Sequence, residues 1–81
     1  MNVNVRLSVG LAQSVGNPRL TVILPEGATI AELLVQLGDS YPQLQPKLNT
    51  AVPMIAGRHT PVSESLTAGQ EVALLLPIAG G

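Results

Sequence analysis

The chemistry in this sequence concentrates at one end. The chain closes with Leu74-Leu75-Leu76-Pro77-Ile78-Ala79-Gly80-Gly81, an apolar run halted by a proline and followed by a taper to two glycines. Chain ends are ordinarily polar and mobile, so an uncharged taper calls for a reason. A glycine pair lets the main chain pass through a slot too narrow for any Cβ. Extended, the stretch from Pro77 to Gly81 reaches roughly 17 Å into a partner. The group it delivers is the terminal carboxylate, whose ordinary pKa of about 3.3–3.7 leaves it ionised at neutral pH. A carboxylate is a poor acyl electrophile, so acyl chemistry at Gly81 requires prior activation by another protein, most simply as an acyl-adenylate made from ATP. With glycine at about 7% of residues, a Gly-Gly end arises by chance in roughly one chain in 200. Following a buried-type strand and a proline, it reads as functional.

The side chains offer little competing chemistry. Cysteine is absent, which removes disulfides, thiolate metal sites, a cysteine nucleophile and a persulfide on this chain. His59 is the single histidine, beside Arg58 in a turn-rich stretch, and reads as a solvated loop residue. Glu26, Glu32, Asp39, Glu64 and Glu71 are spread out, with no metal-ligand spacing and no paired carboxylates. Ser63 and Ser65 lack a base with any sequence signature. No metal site and no stably bound cofactor are expected, and the chain does not read as an enzyme by itself. Arg6, Arg19, Lys47 and Arg58 form no basic stripe, which argues against nucleic acid. No apolar run is long enough to span a membrane and no signal-peptide layout appears, so the expected compartment is the cytoplasm.

The elements that must position the tail follow from patterning. Eighty-one residues make one domain with a modest core, filled by Val, Ile and Leu because Tyr41 is the lone aromatic. Charged residues are 11% of the chain and the net charge is −1, against about 25% charged in ordinary domains. Apolar patches of the kind that partners cover are expected on such a surface. Asn2 to Val9 alternates polar and apolar, predicting a strand with Val3, Val5, Leu7 and Val9 inward. Gly10 to Pro18 reads as a loop with Leu11 and Val15 tucked beneath it. Arg19 to Leu24 is a second strand, closed by Pro25-Glu26-Gly27 and pairing with the first as an antiparallel hairpin.

Thr29-Ile30-Ala31-Glu32 fits a capping box. Ile30, Leu33, Leu34 and Leu37 then fall on one helical face, and the helix stops near residues 38–41. Gln43 to Asn49 forms one more turn with Leu44 and Leu48 on one side. Ala51 to Ala56 is a strand that Pro53 demotes to an edge or a bulge. Thr60 to Val62 is a short extended piece, and Leu66 points inward. Val72 to Leu76 is apolar on both faces, as a central, doubly covered strand requires, and lies beside and parallel to the first strand. Pro77 cannot extend a central ladder, so the chain leaves the sheet there. The fold class is α+β: a β-grasp, with a mixed sheet on one main helix, comprising a domain over residues 1–76 and a flexible extended tail over residues 77–81.

Three segments carry a resemblance over the whole length: Leu24-Pro25-Glu26-Gly27-Ala28-Thr29, the helix from Ile30 to Tyr41-Pro42, and Ala68 to Gly81. On these the chain resembles the sulfur-carrier branch of the ubiquitin-like proteins (the ThiS/MoaD superfamily), and within it the small subunits of molybdopterin synthase. The third segment is the specific one, through a proline set before the terminal glycine pair. The resemblance implies that a ubiquitin-activating-type adenylating enzyme activates Gly81 with ATP and a sulfur donor converts the adenylate to a thiocarboxylate. The tail then enters the large synthase subunit and gives sulfur to a pyranopterin precursor. Gly80 would be the neighbour that must lack a side chain, and Leu76, Pro77, Ile78 and Ala79 would line the partner's channel. Three alternatives stay open: a carrier for thiamin, cysteine or tRNA thiolation; a ubiquitin-like modifier joined to lysines; and a non-covalent interaction module with an inert tail.

Overall fold

The structure, a computed structural model, describes residues 1–77. The expectations for Ile78, Ala79, Gly80 and Gly81 lie outside the described residues. The elements run β1 (Asn2–Leu7), α1 (Val9–Val15), β2 (Arg19–Ile23), α2 (Ile30–Ser40), a 3-10 turn (Pro42–Leu44), α3 (Gln45–Leu48), β3 (Val52–Ile55), β4 (Arg58–His59) and β5 (Glu71–Leu75). The sheet order is β2-β1-β5-β3-β4. β1 is antiparallel to β2 and parallel to β5, with Val5 opposite Val72 and Leu7 opposite Leu74. This mixed sheet with helices packed on one face is a β-grasp.

Alternation in β1 puts Val3, Val5 and Leu7 in the core and leaves Asn2, Asn4 and Arg6 outside. Above that face lies α2, started by the capping box. Thr29 Oγ1 accepts from the Glu32 N–H at 3.3 Å, and Glu32 Oε1 accepts from the Thr29 N–H at 3.4 Å. Ile30, Leu33 and Leu37 are wholly buried. Three such side chains contribute about 5–9 kcal/mol before entropy costs, on the scale of a small domain's entire net stability of about 5–15 kcal/mol. Leu44, Leu48 and Leu66 close the remaining sides of the core.

Several expectations are corrected. The segment after Leu7 is not a loop but the helix α1. Leu11 is fully buried and Ala12 and Val15 pack against the core, so burial sustains a helix that its own sequence barely favours. Gly16 ends it in the left-handed region at φ 77°, its N–H donating to Ala12 O at 2.7 Å. β1 consequently stops at Leu7, and Val9 sits outside at 73% exposure.

β5 is central and parallel to β1, but it runs from Glu71 to Leu75 and only one of its faces is covered by helices. On the other face Ala73 is hidden because it is small and flanked in register by Arg6 and Met54, while Leu75 stays 40% exposed. β3 is neither an edge nor a bulge, since β5 and β4 flank it. Pro53 O accepts from the Thr60 N–H at 3.1 Å. In an antiparallel ladder a residue's nitrogen and carbonyl face the same neighbour, so the missing hydrogen falls on the Thr60 side and the ladder to β5 loses nothing. The fourth strand forms at Arg58–His59, upstream of the expected extended piece at residues 60–62.

Candidate functional site

The end of β5 meets the junction of β1 and α1. Parallel pairing carries β1 and β5 side by side to Leu7 and Leu74. One residue further, the Ser8 N–H donates to Leu74 O at 3.0 Å. Ser8 then occupies the N-cap of α1 with extended backbone, yet its side chain makes no cap bond. Its hydroxyl oxygen instead accepts the backbone N–H of Leu76 at 3.3 Å.

Gly10, in the first turn of α1, completes the contact. A Cβ on Gly10 would stand 2.8 Å from Leu76 Cδ1, closer than two carbons can approach. Leu76 is half-buried and packs against the core, whereas Pro77 is exposed. Leu76, expected to line a partner's channel, is therefore held by its own body in this structure, and the chain is first free of those contacts at Pro77. From the far side, Lys47 Nζ donates to Gly10 O at 3.0 Å and to Ser14 Oγ at 2.7 Å, tying α3 to α1.

Of the residues expected to act, only Leu76 and Pro77 fall within the described part. Ser8, Gly10 and Lys47 were not singled out by the sequence. The available signal was a serine and a glycine set ahead of Leu11, Ala12 and Val15, whose spacing is helical once the segment is read as a helix. His59 lies exposed on β4 and not in a loop. Among the described residues no group of three or more His, Asp or Glu is placed to hold a metal. Among the described residues no helix is long and apolar enough to cross a membrane. Large apolar side chains do reach the surface, Ile23, Val35, Val62 and Leu75 among them. Leu75, opposite Val52 on the uncovered face of the sheet, immediately precedes Leu76.

The solved structures that resemble the chain share the whole architecture. SAMP1 from Haloferax volcanii is 24% identical with a TM-score of 0.89, covering 100% of both chains. A putative molybdopterin converting factor subunit 1 from Pyrococcus furiosus is 20% identical with a TM-score of 0.86, covering 96% of this chain and 99% of that one. A complex of subunits 1 and 2 of the molybdopterin-converting factor from Helicobacter pylori 26695 contains a chain 20% identical with a TM-score of 0.72, covering 100% of both. At these identities the likeness establishes the fold. No curated protein matches the sequence. The model of the ThiS family matches residues 5–81, nearly the full length, and the chain belongs to that family.

Proposed function

We propose that this chain is a sulfur carrier working through its last residue, as the small subunit of a molybdopterin synthase. A ubiquitin-activating-type adenylating enzyme joins the Gly81 carboxylate to AMP from ATP, releasing pyrophosphate. A sulfur donor then displaces AMP, and one carboxylate oxygen is replaced by sulfur. In the large synthase subunit the thiocarboxylate sulfur forms a bond to a carbon of a pyranopterin precursor as that carbon's oxygen substituent departs with the bonding pair and takes up a proton. Water cleaves the resulting thioester, leaving sulfur on the acceptor and restoring the carboxylate. Gly80 passes the narrowest point of the partner, with Pro77, Ile78 and Ala79 in the channel and Leu76 at its mouth.

The observation that supports this reading most is the hand-off at Leu76 and Pro77, in a ThiS-family chain that finishes Gly-Gly. Among the described residues Leu76 is the last one gripped by the body, and an exposed proline follows it at once. Single-turnover loading with the adenylating enzyme, ATP and sulfide tests it. Changing Gly80 to leucine or deleting Gly81 abolishes the oxygen-to-sulfur mass gain while leaving the melting curve unchanged. Loading that survives both changes refutes the reading.

A second reading, a protein modifier, is favoured by the likeness to SAMP1. It predicts adducts in which the Gly81 carbonyl is bonded to lysines of other proteins, and a carrier gives none.

A further inference from the structure

We infer that helix α1 is a bracket for the root of the tail, with Ser8 and Gly10 as positioning residues and Lys47 as the brace that keeps α1 in place. The functional half of this inference rests on the sulfur-carrier reading; the structural half does not.

α1 is built against its own local interest. Serine is among the residue types that best satisfy a first-turn amide from the N-cap, but the Ser8 hydroxyl is directed at Leu76 and caps nothing. Glycine is a poor helix residue, yet it stands second in a seven-residue helix. Its backbone is not in the left-handed region, so conformation alone does not demand glycine there. Both departures touch the same residue. The hydroxyl holds the Leu76 amide, and the missing Cβ makes room for the Leu76 side chain. Lys47 secures the Gly10 carbonyl and the Ser14 hydroxyl, so the bracket cannot drift from α3.

The consequence concerns direction. Once the amide and side chain of Leu76 are both fixed, the next residue is a proline whose φ is locked near −65°. Few free dihedrals separate the rigid body from the start of the tail. A tail aimed from a fixed root samples less volume, which raises its effective concentration at a partner's active centre when the body is docked. Misdirecting the root raises KM for the loading enzyme and leaves the chemistry of a correctly threaded tail, and hence kcat, in place.

The test uses the full chain and an ATP-dependent adenylating enzyme of the ubiquitin-activating type with sulfide. Gly10→Ala is the informative variant, because alanine favours the helix while its Cβ forces the Leu76 side chain to shift from its seat. We expect an unchanged or higher melting temperature, a shift in the proton contacts of the Leu76 methyls, and about a tenfold higher KM with kcat within about twofold. Leu76→Ala raises KM similarly, and combining the two adds nothing further, since each removes the Leu76 side chain from the same slot. Ser8→Ala speeds hydrogen exchange of the Leu76 amide about tenfold, and Ser8→Thr restores protection. Wild-type KM in Gly10→Ala and Ser8→Ala overturns the positioning role. Unchanged exchange at Leu76 in Ser8→Ala, or an unmoved Leu76 side chain in Gly10→Ala, overturns the bracket itself. Failure of the wild-type chain to load counts against the sulfur-carrier reading and overturns the functional half, while the exchange and contact measurements still decide the structural half.

Discussion

The Ser8 hydroxyl accepts the backbone N–H of Leu76 across 68 positions of sequence, at 3.3 Å. It joins the start of α1 to Leu76, the last residue held by the body among those described, beside the connection from β1 to β2. Around that contact the β-grasp acts as a rigid handle.

The rigidity of the handle comes from aliphatic packing on α2. Leu33→Ala and Leu37→Ala, at two fully buried positions, each cost about 2–5 kcal/mol in urea unfolding. Val35→Ala, two residues from each and on the opposite side of the helix at 65% exposure, stays within about 0.5 kcal/mol of the parent. Equal losses at all three positions would contradict the burial pattern.

The capping box carries a smaller share. Thr29→Ala removes the acceptor of the Glu32 N–H and lowers stability by about 1 kcal/mol. In a domain of this size that corresponds to a drop of roughly 4–8 °C in melting temperature. Thr29→Ser retains most of it.

Lys47 is the sole lysine, and its ammonium donates to two oxygens of α1. Lys47→Met leaves Gly10 O and Ser14 Oγ without that partner and costs about 1–3 kcal/mol in denaturant unfolding. The same engagement makes Lys47 a slow acylation target in the native protein. Trace labelling with an amine-reactive ester reaches Lys47 readily only after unfolding; equal labelling rates in both states would show that the brace does not hold.

The ion pair on the open sheet face is a different matter. Arg6 Nε and Glu71 Oε1 are 4.0 Å apart with both side chains about half exposed. Solvent screening holds such a pair to about 0–1 kcal/mol. Arg6→Gln therefore changes stability by less than about 0.5 kcal/mol, and added salt does not widen the gap. A larger loss would show that the exposed pair is better shielded than its geometry indicates.

The parts of the fold legible in the sequence are those where one local rule meets no opposition. The alternation of Val3, Val5 and Leu7 and the apolar face of α2 follow from periodicity, the capping box from Thr29 and Glu32, and the central place of β5 from its apolar run, although only one face of that strand is covered. α1 was not legible, because Ser8 and Gly10 are signals against a helix and only the burial of Leu11 by distant residues reverses them. Pro53 misled for a similar reason: its missing donor matters only on one side of the strand, and the neighbour on that side is known only from the sheet order. Of the site, the sequence marked the tail, while the grip on Leu76 depends on residues brought together by topology.

The most direct test is to locate the sulfur. After incubation with the adenylating enzyme, ATP and labelled sulfide, the chain is fragmented and its C-terminal peptide sequenced by mass. The account predicts one oxygen-to-sulfur exchange confined to Gly81, lost on hydrolysis and absent from the chain lacking that residue. Sulfur elsewhere on the chain, or an equal gain in the truncated protein, contradicts it.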